Sequence, residues 1–110
     1  MVSPAAGSIV LVTFPFSDLS AAKLRPAIVL ASAERDDWIL CQLTSNPYSD
    51  PNAVQIGETD FASGSLQRTS FARPGKLFTA NTSLMKSEVG RLTPVAFQNV
   101  LTSVIGILHG

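Results

Sequence analysis

The sequence predicts a mainly β fold, a small barrel of short strands followed by a C-terminal α-helix. Short apolar runs separated by turn residues dominate the chain as far as Pro94, where the spacing of apolar residues becomes helical. The chain has 110 residues, of which 45% are hydrophobic and 15% charged, enough for one modest core. We therefore expect a single domain over residues 1–110.

Six strands are predicted, each rich in β-branched or aromatic side chains. They span residues 8–14, 25–31, 38–44, 52–57, 66–72 and 75–79. Turn chemistry separates them at Asn46-Pro47, Asp50-Pro51-Asn52, Ser63-Gly64 and Pro74-Gly75. The segment from Arg73 to Lys76 is interpreted first as a charged hairpin turn and second as a phosphate contact.

A helix is predicted to begin at Pro94. Thr93 can cap its N-terminus and a proline suits the first turn. One face is apolar at three-and-four spacing, through Phe97, Val100, Leu101, Val104 and Leu108. We expect this helix to pack on the sheet or at a dimer interface.

Composition excludes several classes of protein. No apolar run approaches the roughly 18 residues of a membrane span, and the N-terminus lacks the basic and apolar regions of a secretion signal, so we expect a cytoplasmic protein. Cys41 is the only cysteine and His109 the only histidine, which predicts a buried thiol and no zinc site. No glycine-rich phosphate loop is present, and we expect no cofactor and no metal.

The net charge of zero conceals an asymmetry. Residues 1–60 carry three bases and seven acids, whereas residues 61–110 carry five bases and Glu88 alone. If the later bases share a face with Arg25, the protein has an anion-binding surface despite its neutral total. The alternative is an ordinary solvated mixture of charges.

Arg25 is the first candidate for chemistry. Pro26 fixes its own φ and favours extended geometry at Arg25, so the guanidinium is presented where a loop becomes the second strand. A guanidinium donates two parallel hydrogen bonds to phosphate and stays charged, although arginines at strand edges also form weak surface ion pairs. Lys23 lies two residues earlier.

Thr44, Ser45 and Asn46 end the third predicted strand. Their two hydroxyls and one amide are suited to hydrogen bonding with a phosphate or a base edge. The same residue types form turns, and local sequence favours a turn into Pro47.

The chain resembles the MazF/PemK (Kid-like) toxins of bacterial and archaeal toxin–antitoxin systems over about residues 7–108. The resemblance rests on Gly7-x-Ile9-Val10-x-Val12-x-Phe14-Pro15, Lys23-x-Arg25-Pro26-Ala27-x-Val29-Leu30, Leu43-Thr44-Ser45, and Arg73-x-x-Lys76-Leu77-x-Thr79 followed by Gly90-Arg91-Leu92. It implies an SH3-like barrel, a homodimer, metal-independent cleavage of single-stranded RNA, and control by a separately encoded antitoxin. It also implies that Arg25 and Thr44 are the catalytic pair.

RNA contacts are predicted for residues around this pair. Aromatic side chains in loops can stack on unpaired bases, and basic side chains can bind phosphates. The predicted RNA-binding residues are Phe16, Asp18, Lys23, Ser45, Asn46, Arg73 and Lys76. Tyr48 also lies in a candidate loop where it can stack, and Asp18 is the nearest acidic candidate for a general base.

Two positions depart from the family pattern. Ser20 and Gly75 occupy places where some relatives carry acidic residues. One alternative is therefore a non-catalytic member of the fold that binds RNA or its antitoxin. A second alternative is a toxin directed at DNA gyrase, which needs no arginine–threonine pair.

Overall fold

The computed structural model describes residues 3–13 and 24–110. The strands are β1 (Ser8–Thr13), β2 (Leu24–Ser32), β3 (Asp37–Thr44), β4 (Val54–Ile56), β5 (Phe61–Gly64), β6 (Ser70–Asn81) and β7 (Met85–Leu92), and helix α1 spans Pro94–His109. Single 3₁₀ turns occur at Glu58–Asp60 and Thr82–Leu84.

The strands form one antiparallel sheet with the order β4-β6-β3-β2-β1-β7-β5. The sheet curls into a half-barrel, and α1 packs against β4, β6 and β7. The prediction of a mainly β fold with a C-terminal helix is confirmed. No helix among the residues described is long and apolar enough to cross a membrane.

The central strands are apolar on both faces. Side chains alternate across a strand, so Ile9 and Val10 of β1 enter different apolar clusters, and both are fully buried. The cluster around Ile9 includes Ala96, Val100 and Val104 of α1. The other is formed by the strands alone, with Trp38 and Phe78 packed against it.

The predicted helix start is confirmed. Thr93 Oγ1 accepts a hydrogen bond from Ala96 N–H at 3.2 Å, and Pro94 occupies the first turn. The predicted apolar face is wrong at its end, because Leu108 is 72% exposed. Val104 is the last buried residue of α1.

One strand, β6, replaces the two predicted at 66–72 and 75–79, and the hairpin turn predicted at residues 73–76 is wrong. Residues 66–69 lie in the loop before β6. The pairing of β3 with β6 jumps from Cys41 opposite Leu77 to Gln42 opposite Arg73. Residues 74–76 thus form a bulge. Proline is tolerated at position 74 because a bulge residue is not required to donate a hydrogen bond to the neighbouring strand.

Strands β5 and β7 were not predicted. The sequence of β7, MKSEVGRL, alternates poorly because its inward positions include Ser87 and Gly90 rather than large apolar residues, and β5 has only four residues, FASG. The turn predicted at Ser63-Gly64 lies within β5, where Gly64 has φ +71° and pairs with Gly90. The strand predicted at 52–57 is shorter, Val54–Ile56.

The β2–β3 hairpin lies at the far end of the sheet from Arg25. Asp37 N–H donates to Glu34 O at 2.9 Å, and both central residues, Arg35 and Asp36, have positive φ. This is the type I′ geometry that suits the twist of a two-residue hairpin. Arg35 is exposed there and is therefore distant from the strand ends that carry Arg25 and Thr44.

Candidate functional site

Arg25 and Thr44 lie at the same end of the sheet. The last pair of the β2–β3 ladder at this end is Ala27 opposite Gln42, and Arg25 and Thr44 lie two residues beyond it, one on each strand. Both residues line one cavity. The two residues predicted to be catalytic therefore face the same space.

A cavity of about 260 Å³ opens at these strand ends. Arg25, Thr44 and Ser45, all predicted site residues, line it. The remaining lining residues are Leu11, Leu24, Pro26, Leu43, Leu66, Arg68 and Ser70. The structure thus adds Arg68 and Ser70 to the residues that the sequence indicated.

The cavity is cationic. Its lining holds two guanidinium groups and three hydroxyls, from Thr44, Ser45 and Ser70, and no carboxylate among the residues that the structure describes. Within that part of the chain, neither Arg25 nor Arg68 forms an ion pair. Guanidinium groups beside hydroxyl groups have the chemistry that suits a phosphate group.

Arg68 lies in a loop that is held in place by contacts with distant parts of the chain. Ser65 N–H donates to Val89 O at 3.3 Å, and Gln67, with φ +64°, donates from its N–H to Ser65 Oγ at 2.9 Å. Leu66 packs against the core, and Ser70 Oγ donates to Arg68 O at 3.4 Å. The excess of bases after residue 60 was the only sequence signal that could have indicated Arg68.

Thr44 also closes a turn, as local sequence favoured. Its Oγ1 accepts from Asn46 N–H at 3.1 Å and donates to Asn46 O at 3.1 Å. A threonine hydroxyl has one hydrogen, so Thr44 can redirect it to a ligand and still accept from Asn46. The turn and the ligand interpretations are therefore compatible. Asn46 Oδ1 is itself engaged by Tyr48 N–H at 3.0 Å.

Arg73 does not line the cavity. Its Nε donates to Asp50 Oδ2 at 3.1 Å, and its guanidinium carbon lies 5.6 Å from the centre of the Tyr48 ring. The pKa of Asp50 is lowered, first by the hydrogen bond from Asn52 N–H and then by Arg73. Arg73 thus has an ionic partner within the protein, unlike Arg25 and Arg68.

The other predicted RNA-binding residues do not line the cavity or lie outside the described residues. Lys76 is exposed in the β6 bulge, next to Gly75. Phe16, Asp18 and Lys23, together with Ser20, lie outside the described residues.

Cys41 is buried, as predicted, and its Sγ donates to Arg73 O at 3.3 Å. Burial raises the pKa of this thiol to about 12. Across residues 3–13 and 24–110, no cluster of three or more His, Cys, Asp or Glu side chains could hold a metal ion.

A family model for the PemK-like, MazF-like toxin of type II toxin–antitoxin systems matches residues 5–108. No curated protein sequence matches the chain.

Several solved structures share the fold. An endoribonuclease from a mycobacterial species, in complex with its cognate antitoxin, is 15% identical with a TM-score of 0.76, and the match covers 97% of this chain and 96% of that one. MazF from Deinococcus radiodurans is 18% identical with a TM-score of 0.76 over 100% of both chains. The Mycobacterium tuberculosis toxin MazF-mt6 is 13% identical with a TM-score of 0.71, over 93% of this chain and 96% of that one. At these identities the likeness establishes the fold.

Proposed function

The chain belongs to the PemK-like, MazF-like toxin family of type II toxin–antitoxin systems, and we propose that it is an endoribonuclease that cleaves single-stranded RNA. The observation that supports this most strongly is that Arg25 and Thr44 line one cavity together with Arg68, and that no carboxylate lines it among the residues described. That combination suits a phosphodiester. The chemistry needs little more from the protein, because RNA carries its own nucleophile.

In the proposed reaction the ribose 2′-oxygen attacks the adjacent phosphorus and loses its proton. The bond from phosphorus to the 5′-oxygen breaks, and that oxygen takes up a proton. The products end in a 2′,3′-cyclic phosphate and a 5′-hydroxyl. Arg25 neutralises the charge that develops on the non-bridging oxygens, and Thr44 donates a hydrogen bond to one of them.

A base must accept the proton of the 2′-hydroxyl. Arg25 is unsuited because it stays protonated, although it can assist proton transfer to the leaving oxygen. Asp18 is the nearest acidic candidate in the sequence, and its role as this base is the hypothesis to test first. An unchanged cleavage rate for Asp18→Asn would dismiss it.

The proposed partners follow from the family. A homodimer in the cytoplasm would cleave RNA until a separately encoded antitoxin covers the Arg25 end. Two of the solved relatives were determined as MazE–MazF complexes and another with its cognate antitoxin. An inhibitor that leaves Arg25 fully accessible to chemical modification would contradict this arrangement.

The deciding experiment is cleavage of a long single-stranded RNA in EDTA by wild type, Arg25→Ala and Arg35→Ala, with the product ends analysed. Arg35 is the matched control because it is exposed at the opposite end of the sheet. We expect cutting by wild type and Arg35→Ala, with cyclic-phosphate ends, and a loss of about 10²–10³-fold for Arg25→Ala.

No cutting by any folded variant would favour a non-catalytic RNA- or antitoxin-binding member of the fold. Ser20 and Gly75, at positions that are acidic in some relatives, would then mark lost catalysis. Toxicity that Arg25→Ala leaves unimpaired would instead favour a toxin directed at gyrase.

A further inference from the structure

We propose that Tyr48 is a stacking platform for an RNA base adjacent to the phosphate at Arg25 and Thr44. This inference rests on single-stranded RNA being the ligand, as proposed above. It assigns a role to an aromatic side chain that the fold does not use for its core, since Tyr48 is 65% exposed.

The backbone holds Tyr48 in an uncommon conformation. Asp50 N–H donates to Pro47 O at 3.0 Å across a turn whose central residues, Tyr48 and Ser49, have φ of +53° and +60°. This pattern of positive φ is usually taken by Gly, Asn or Asp. A tyrosine and a serine there carry backbone strain, and such strain is concentrated at ligand-binding sites.

The ring is supported on one side. The Arg73 guanidinium lies over it at 5.6 Å, and Asp50 holds that guanidinium through the 3.1 Å bond. Asp50 itself accepts from Asn52 N–H at 2.9 Å, which fixes the carboxylate within the same loop. The arginine covers one face of the ring, and the exposure of Tyr48 leaves the other face open to solvent.

The platform lies on the face of the sheet that carries Arg25 and Thr44. Thr44 is opposite Phe71 on β6, and Arg73, two residues further along β6, points to the same side. Thr44 and Arg73 are therefore diagonal neighbours, with Cα atoms about 7–8 Å apart. When Thr44 binds the phosphate of a nucleotide, Tyr48 is within reach of the base of that nucleotide or of the next one.

This arrangement has a chemical consequence. Tyrosine rings bind unstacked bases through their faces with little preference for sequence, and a guanidinium behind the ring extends the stack. Tyr48 should therefore contribute to affinity for many RNA sequences, while Arg25 and Thr44 act on the reacting phosphate.

The test uses a 2′-O-methylated single-stranded oligonucleotide, which has no free 2′-hydroxyl to attack phosphorus. One position at a time carries 2-aminopurine, whose fluorescence falls when the base stacks. Affinity and fluorescence are measured for wild type, Tyr48→Phe, Tyr48→Leu and Val95→Ala. Val95 is the control because it is 72% exposed on α1, an element that does not line the cavity.

We expect Tyr48→Leu to lose about ten-fold in affinity and to abolish the quenching at one or two positions. Tyr48→Phe and Val95→Ala should match wild type. A purely structural role for Tyr48 would lower thermal stability without changing which positions are quenched.

The outcomes separate the two proposals. Tight binding by wild type with equal affinity and equal quenching for Tyr48→Leu would overturn the platform and leave the proposed RNA ligand intact. No binding by wild type would overturn both. Binding that depends on Tyr48, from a protein that fails to cut RNA in EDTA, would support the platform and refute the proposed cleavage.

Discussion

Arg73 and Asp50 form an ion pair, 3.1 Å from Nε to Oδ2, that joins the middle of β6 to the loop after β3. Both side chains are mostly withdrawn from solvent, with 19% and 12% exposed. The pair holds the Arg73 guanidinium against the Tyr48 ring. The protonation state of Asp50 should therefore affect the loop as well as the sheet.

Replacing Asp50 with Asn should destabilise the protein in a pH-dependent way. The folded pKa of Asp50 is lowered, so its contribution is fully present above the unfolded value, about 3.9, and is lost as pH falls through the folded value. Asn retains an acceptor for Asn52 N–H and removes only the charge. We expect wild type to melt a few degrees above Asp50→Asn at pH 7, and this gap to close as pH falls below the folded pKa of Asp50. A gap that persists unchanged in acid, or that also appears for the exposed Glu34→Gln, would show that the charge is not responsible.

Arg68→Gln should weaken binding of all single-stranded RNAs alike. If Arg68 contacts one phosphate, the slope of log affinity against log salt should become shallower by about 0.7, the value for one contact on a single strand. Titrations at several salt concentrations measure it, with Arg35→Gln as the control at the far end of the sheet. A sequence-dependent loss with an unchanged slope would indicate a base contact instead.

Thr44→Ser and Thr44→Val should separate the hydroxyl from the shape of the side chain. Serine retains the oxygen that accepts from Asn46 N–H and the hydrogen that can pass to a phosphate, whereas valine removes both. We expect Thr44→Ser to keep its cleavage rate within about ten-fold and Thr44→Val to lose about 10²–10³-fold. Equal rates for the two folded variants, in single-turnover assays, would remove Thr44 from the mechanism.

Gly64→Ala should disrupt the pairing of β5 with β7. A Cβ at Gly64 would lie 2.1 Å from Val89 O, and φ of +71° disfavours any L side chain. We expect a loss of at least about 2 kcal/mol in the free energy of unfolding. Gly106→Ala is the control, because nothing lies within 4 Å of a Cβ there and alanine should stabilise α1 by about 0.5–1 kcal/mol. Chemical denaturation measures the free energy of unfolding of both variants, which should fall for Gly64→Ala and rise for Gly106→Ala.

Cys41 should resist thiol reagents while the protein is folded. Its pKa of about 12 leaves essentially no thiolate at pH 8, and the side chain has no exposed surface. Labelling with a chromogenic disulfide should follow global unfolding and reach completion only in denaturant. Fast labelling under native conditions would mean that β3 opens locally.

Local sequence indicated Arg25 and Thr44 as separate candidates, and the resemblance to the toxin family predicted that they act as a pair. Pro26 lies near the start of β2, and Thr44 ends the apolar run that forms β3, so each residue could be placed at a strand end from its own neighbours. Arg68 could not be predicted in this way. Its position depends on a bond from Ser65 to Val89, more than twenty residues away, and on Leu66 packing into the core.

The errors in predicted strands have the same kind of cause. Pro74-Gly75 has the composition of a turn, and only the register of β3 against β6 shows that these residues form a bulge. In β7 the buried positions are filled by residues such as Gly90, which lies against the Phe61 ring, rather than by an alternating apolar series. Local patterns therefore identified the central strands and the short edge strand β4, and missed β7 and β5 at the other side of the sheet.

The bulge in β6 also affects how this molecule meets other chains. Strand β4 pairs only with Ser70–Ala72, so beyond the bulge that side of β6 has no neighbouring strand among the residues described. An unpaired strand edge is a template for aggregation, which proteins counter with prolines, bulges and lysines. Pro74 has no N–H to offer, and Lys76 is exposed beside it. Pro74 and Lys76 belong to the segment that was predicted as a turn. The same two residues therefore protect this edge of β6 from pairing with a strand of another molecule.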